Sequence, residues 1–104
     1  MRMRFVAGAT AVLIATAALA QDWPTRPIRV ISPFAAGSAS DTTGRVVLDQ
    51  VSQNLGQPFV VEVRPGAGGT LGFAQVAKAD PDGYTLVTSS SSMATETVLH
   101  RKLP

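Results

Sequence analysis

Three short runs of the chain are rich in β-branched and aromatic residues. They cover Ile28–Ile31, Phe59–Val63 and Tyr84–Thr88, and the turn signal Asp80-Pro81-Asp82-Gly83 precedes the last one. Runs of this length and composition, bounded by glycine, proline or aspartate, are typical of strands. The pattern therefore predicts three strands, the first of them apolar enough to be buried.

A helical pattern follows each predicted strand. After the first strand, apolar residues recur at four-residue spacing, at Val47, Val51 and Leu55. This spacing predicts a helix over 41–55, with Ser40 or Asp41 as its N-cap. Shorter helices are predicted over 70–79 and 93–100.

The alternation of elements predicts an α/β fold in the order β-α-β-α-β-α, with a parallel sheet and right-handed crossovers. Each predicted strand is followed by a loop of small residues, at Phe34–Ser40, Arg64–Gly69 and Ser89–Ser92. Because the carboxyl ends of parallel strands share one edge, all three loops are expected along that edge. Ligands of open α/β sheets bind there.

The chemistry of these loops favours an anion. Each loop brings backbone N–H groups to the start of a helix, where donors lack intrahelical partners and the helix dipole is positive. A small carboxylate is the expected ligand. The alternatives are that the glycines only permit tight turns, that the serines form a solvated loop, and that Asp41 is an N-cap rather than a ligand contact.

The first twenty residues have the layout of a secretory signal peptide. Two arginines precede the almost wholly apolar run Phe5–Leu19, and Ala18-Leu19-Ala20 is a small-x-small cleavage site. A membrane anchor is the alternative, but the run is shorter than the roughly 20 residues of a spanning helix. We expect cleavage after Ala20, a periplasmic product over 21–104, and no stable membrane insertion.

Charge and composition remove several classes of function. The net charge of +2 and the pI of about 9.7 suggest a polyanion partner. However, removal of Arg2 and Arg4 with the signal leaves seven basic and seven acidic residues. We therefore expect no nucleic-acid partner. The absence of cysteine excludes disulfides and thiolate metal sites, and the sequence contains no cluster typical of a metal site.

The common catalytic and cofactor motifs do not fit. The dinucleotide pattern started at Gly66 requires glycine where Leu71 stands, and neither a phosphate-binding Gly-Lys-Ser/Thr nor a nucleophile elbow is present. We expect no cofactor and no enzyme. The remaining enzyme alternative, a small exported serine hydrolase using Ser90 or Ser91, would need His100 as its base.

Several segments together resemble one family, the Bug or TctC-like solute receptors of tripartite tricarboxylate transporters. The resemblance covers residues 22–104. It is carried by Pro24–Ile28, Pro33–Gly37 with Asp41, Leu55–Pro58, Val61–Glu62, Arg64–Gly69, Gly72, Val76–Ala79, Pro81–Leu86 and Lys102–Pro104. The segments R-P-G-A-G-G and P-D-G-Y-T-L are the most specific of these in combination.

The resemblance implies a type II-like, two-lobed periplasmic binding protein that closes around a small carboxylated solute. In such receptors main-chain donors and ordered waters hold the ligand carboxylate, and the solute passes to the membrane subunits of the transporter. The positions that carry over to this sequence are Phe34, Ala36, Gly37, Ser38, Asp41, Gly66, Ala67, Gly68, Gly69, Thr70, Ser89, Ser90 and Ser91.

The sequence departs from the family pattern in four residues and in length. Thr43 and Gly44 replace better helix formers in the first predicted helix. Ser38 stands where a second glycine is usual, and Val63 where asparagine is common. Family members are much longer, so we expect residues 21–104 to be a truncated first lobe without the second lobe and the hinge. Such a lobe should bind its solute weakly. A non-binding remnant and an interaction module that docks to a membrane partner remain as alternatives.

Overall fold

The computed structural model describes residues 22–99, 102 and 103. The strands are Ile28–Ser32 (β1), Phe59–Val63 (β2) and Thr85–Val87 (β3), and the helices are Ala39–Leu55 (α1), Thr70–Ala77 (α2) and Ser92–Leu99 (α3). A single 3-10 turn, Ala67–Gly69, leads directly into α2. The predicted order β-α-β-α-β-α is confirmed.

The strands form one parallel sheet in the order β2-β1-β3. Val30 of β1 is opposite Val61 on one side and Leu86 on the other. The central strand holds the core, because Ile28, Val30 and Ile31 are almost completely buried. This position explains the apolar, β-branched composition of the first strand.

The first two helices cover opposite faces of this sheet. The start of α1 meets the sheet at Ser32, whose hydroxyl bonds to Asp41, whereas Gly72 of α2 faces the side chain of Ile31. Ser32 and Ile31 are consecutive in β1, and successive side chains of a strand point to opposite faces. The chain is therefore doubly wound around β1, as right-handed crossovers to the two sides require.

A bidentate ion pair joins β1 to β2. Arg29 donates from Nε and Nη2 to the two oxygens of Glu62, over 2.6 and 2.7 Å. Arg29 lowers the pKa of the Glu62 carboxyl, while the bond to Glu62 raises the pKa of Arg29. The pair fixes the two strands to each other on the face that α2 covers.

The turn before β3 anchors the N-terminal segment. The Tyr84 hydroxyl accepts the backbone N–H of Thr25 over 2.9 Å, and the Arg26 guanidinium lies 3.9 Å from the centre of the Tyr84 ring. Arg26 also pairs with Asp82 over 3.1 Å. These contacts lie at the amino ends of the strands, opposite to the three loops, and they account for the aromatic residue after Gly83.

The ends of several elements differ from the prediction. The prediction of Ser40 or Asp41 as the N-cap of α1 is wrong, because the helix already begins at Ala39 and Ser38 caps it. β1 extends to Ser32, β3 covers 85–87 instead of 84–88, α2 ends at Ala77 instead of residue 79, and α3 begins one residue earlier than predicted. Residue 100, the predicted end of α3, and the predicted signal peptide lie outside the described residues. Within the described part, no helix combines the length and the apolar character needed to span a bilayer.

Candidate functional site

The three loops lie at the carboxyl edge of the sheet, as the parallel order requires. The first loop, 33–38, follows β1, the glycine loop, Gly66–Thr70, follows β2, and the serine loop, 88–91, follows β3. The chain passes from β1 to β2 on one side of β1, and then crosses back so that β3 pairs with β1 on its other side. The direction of strand addition therefore reverses between β1 and β3. In doubly wound sheets the ligand crevice opens outside such a reversal.

Asp41 holds the first loop in place. It is the third residue of α1 and only 4% exposed. Its Oδ1 accepts the Ser32 hydroxyl over 3.0 Å, and its Oδ2 accepts the Gly37 N–H and Arg45 Nε, each over 3.0 Å. The bond from Gly37, then that from Arg45, lowers the pKa of the Asp41 carboxyl against the effect of burial. The carboxylate thus ties the end of β1, the first loop and α1 together.

Ser38 completes the start of this helix. Its backbone is extended, with φ −64° and ψ 162°, and its hydroxyl accepts the Asp41 N–H over 3.3 Å. This is one half of a capping box, in which an N-cap hydroxyl bonds to the third helical N–H. In the usual box the third residue returns to the N-cap N–H, whereas here Asp41 reaches one residue further back, to Gly37. Both Ser38 and Asp41, predicted as ligand residues, are therefore engaged in ordering the first loop.

The glycine loop has a backbone that other residues would rarely adopt. Gly66, Ala67, Gly68 and Gly69 have φ angles of 136°, 48°, 66° and 100°. The Gly69 N–H donates to the Gly66 carbonyl over 2.9 Å, and the Thr70 hydroxyl donates to the Ala67 carbonyl over 2.9 Å. Glycine reaches positive φ at no steric cost, which explains the three glycines of the G-A-G-G run. The run lies directly before α2, and Gly69 is the N-cap of that helix.

Close packing joins the glycine loop to the first loop. A Cβ built at Gly69 would lie 3.5 Å from Cε1 of Phe34 and 3.2 Å from the ring of Phe73. A Cβ at Gly72 would lie only 2.7 Å from Pro33 Cβ, which places α2 directly against the end of β1. Neither Gly72 nor Ser32 was predicted as a site residue from the sequence. Their signal was positional, since Ser32 ends the buried strand and Gly72 stands inside a predicted helix.

The serine loop is engaged mainly with itself and with α1. The Ser90 hydroxyl lies 3.0 Å from that of Ser92 and accepts the Ser92 N–H over 3.3 Å, while Ser89 donates to the Ser90 carbonyl over 3.1 Å. A Cβ at Gly44 of α1 would lie 3.1 Å from the Thr88 methyl group. Ser90 therefore stabilises the start of α3 through its hydrogen bonds to Ser92. His100, the base of the hydrolase alternative, lies outside the described residues.

An open groove of about 480 Å³ lies between the start of α1 and the end of β3, at the reversal point of the sheet. Its lining is uncharged and consists of Ala39, Ser40, Thr43, Gly44, Val47, Leu48, Thr88 and Ser89. An anion in this groove would therefore meet backbone and hydroxyl groups, because no charged side chain lines it. In the part of the chain that the structure covers, no three acidic or histidine side chains come together as metal ligands.

Comparison with known protein families identifies the chain. Residues 43–104 match the family described as the tripartite tricarboxylate transporter family receptor, TctC. The chain belongs to the TctC receptor family. The fold agrees with this membership, because solved TctC relatives share the same α/β arrangement over the aligned part. One of these relatives is the periplasmic binding protein BugD.

Named TctC relatives show what the chain is similar to. It is 46% identical over 105 residues to the UPF0065 protein in the TAR-I ttuE-ttuC' intergenic region of Agrobacterium vitis, which covers 99% of this chain. Its fold is similar to the periplasmic binding protein BugD, with 46% identity and a TM-score of 0.59. It is also similar to MatC from Rhodopseudomonas palustris with bound malate, with 45% identity and a TM-score of 0.60. A third similar structure is an R. palustris protein with adipate, with 37% identity and a TM-score of 0.60. Each of the three structural alignments covers 62% of this chain.

The chain is short beside these TctC proteins. It spans 30% of the length of the Agrobacterium vitis relative and 22% of each of the three solved structures. The solved relatives are binding proteins, and two of them hold carboxylates, malate and adipate.

Proposed function

We propose that this chain supplies the N-terminal, carboxylate-holding part of a periplasmic receptor for a small carboxylate. The glycine loop at the N-terminus of α2 carries this proposal, because it lies on the same sheet edge as the first and serine loops. Membership of a family with malate-bound and adipate-bound members supports the class of ligand.

The proposed contacts are made by the backbone. Loops at helix starts present N–H groups and the positive end of the helix dipole, so that they attract a carboxylate without a neighbouring lysine or arginine. The uncharged groove at the reversal of the sheet agrees with this mode. In this arrangement Asp41 and Ser38 order the first loop, and Phe34 packs the first loop against the glycine loop.

We further propose that the solute is delivered to the membrane subunits of a tripartite tricarboxylate-type transporter. The description of the family as a receptor of that transporter supports this step. Within the described residues the loops form one open edge, and small-molecule sites normally bury most of the ligand surface. We therefore expect the chain by itself to bind a dicarboxylate only at about millimolar concentrations.

The test is a titration of the ¹⁵N-labelled protein with malate and with adipate, followed by amide NMR shifts. The expected result is a saturable change confined to the amides of the three loops, at millimolar ligand. Adipamide, which has the length of adipate without its charge, should leave these amides unchanged. A change spread evenly over the surface, or no change, would refute the site.

A single variant separates backbone binding from binding by a cation. Arg64 precedes the glycine loop and is more than half exposed, with Glu62 as its partner over 3.4 Å. We expect Arg64→Gln to keep the shifts in the loops, because the backbone donors remain. Loss of those shifts would instead make Arg64 the ligand of the carboxylate.

A further inference from the structure

A carboxylate of the chain itself lies against the glycine loop. Glu96 of α3 is half-buried and its Oε2 atom is closed off from solvent. A Cβ built at Gly68 would overlap Oε1 of Glu96 and would lie 3.3 Å from its Cδ. The missing side chain of Gly68 therefore leaves the space that the Glu96 carboxylate fills.

The electrostatics of the loop favours a carboxylate at this position. The N-terminal turn of α2 concentrates partial positive charge, which attracts an acidic side chain as well as a free anion. Two carboxylates within contact distance disfavour each other's charged form. A carboxylate of the ligand on Gly68 would therefore lie at contact distance from the Glu96 carboxylate and would be repelled by it.

The helix that carries Glu96 is largely exposed to solvent. None of the residues of α3, Ser92–Leu99, is buried, and Val98 and Leu99 are 85% and 73% exposed. Elements with few buried contacts open at low free-energy cost. A small displacement of α3 would withdraw Glu96 from the loop without disturbing the sheet.

We propose that Glu96 is an internal competitor of the ligand, which occupies the glycine loop until a solute carboxylate displaces it. The inference rests on the proposed function, since it assigns a regulator to the same loop. It makes α3 the element that moves when the solute binds, and it makes the charge of Glu96 a determinant of affinity.

The experiment compares Glu96→Gln with the unchanged protein in the malate titration. Glutamine keeps the size and shape of the side chain at Gly68 but removes its charge. We expect malate to bind about tenfold more tightly to this variant. Asp49→Asn is the matched control, because it removes the same charge from an exposed position on α1 and should leave the affinity unchanged.

The outcomes separate this proposal from the proposed function. If the unchanged protein shows the loop shifts but Glu96→Gln binds malate equally or more weakly, Glu96 is only a structural contact and the competitor is refuted. If neither protein shows the loop shifts, both the site and its competitor are refuted. Glu96→Ala also removes the contact with Gly68, and we expect it too to bind malate more tightly than the unchanged protein. Weaker malate binding by Glu96→Ala would also overturn the proposal.

Discussion

Replacing Gly72 with alanine tests whether close packing of α2 against β1 supports the glycine loop. The new Cβ would lie 2.7 Å from Pro33 Cβ, 3.2 Å from Pro33 Cα and 3.3 Å from Ile31 Cγ2. Carbon atoms in contact normally lie about 3.5–4.0 Å apart. The proline ring and its Cα cannot rotate away, so α2 would have to move outward by about 1 Å.

The magnitude follows from two opposing effects. Overpacking of this kind costs about 1–3 kcal/mol, and the rigid neighbours favour the upper part of that range. Alanine returns about 1 kcal/mol through its higher helix propensity. The net loss of unfolding free energy should be about 1–2 kcal/mol, which lowers the Tm of a domain of this size by about 5–15 °C.

Thermal unfolding followed by circular dichroism at 222 nm measures this loss. Gly44→Ala is the matched control, because it brings the same gain in propensity to α1 while its nearest neighbour is one side-chain methyl, on Thr88, at 3.1 Å. We expect the control to unfold within a few degrees of the unchanged protein. A Tm of Gly72→Ala equal to or above that of Gly44→Ala would refute the packing argument.

Two further predictions concern the start of α1. Ser38→Ala should lower the unfolding free energy by about 1 kcal/mol because it removes the N-cap hydroxyl, whereas Ser38→Gly should lower it by only a few tenths of a kcal/mol. Urea unfolding measures both losses, and equal losses would contradict the role of Ser38 as the cap. The depressed pKa of Asp41 means that its stabilisation is present above the pKa of the unfolded state, about 3.9, and is lost as the pH falls through the lower folded value. The unchanged protein should therefore lose Tm steadily below about pH 4, and Asp41→Asn should show a shallower loss, with the share due to Glu62 remaining. Asp49→Asn, on an exposed site, should follow the unchanged protein, and identical pH profiles for Asp41→Asn would contradict the network.

The candidate site shows where prediction from sequence was sufficient. The loops could be placed on one edge because the alternation of apolar runs and helical spacing implies a parallel sheet, and parallel strands end at the same edge. The glycine run could be recognised because it carries its own conformational signal. The contact between Gly68 and Glu96 could not, since 28 positions separate them and only the packing of α3 brings them together.

The sequence by itself determined the types of the elements, their order and the chemistry of the loops, because these depend on local periodicity and on the conformational freedom of single residues. Only the tertiary structure decided which strand is central and which residue caps α1. Ser38, Ser40 and Asp41 are all suitable N-caps, and the choice of Ser38 follows from Ser32, whose hydroxyl holds the Asp41 carboxylate at the end of β1. Contacts of this kind depend on how a strand and a helix pack against each other in space, and local pattern carries no measure of that packing.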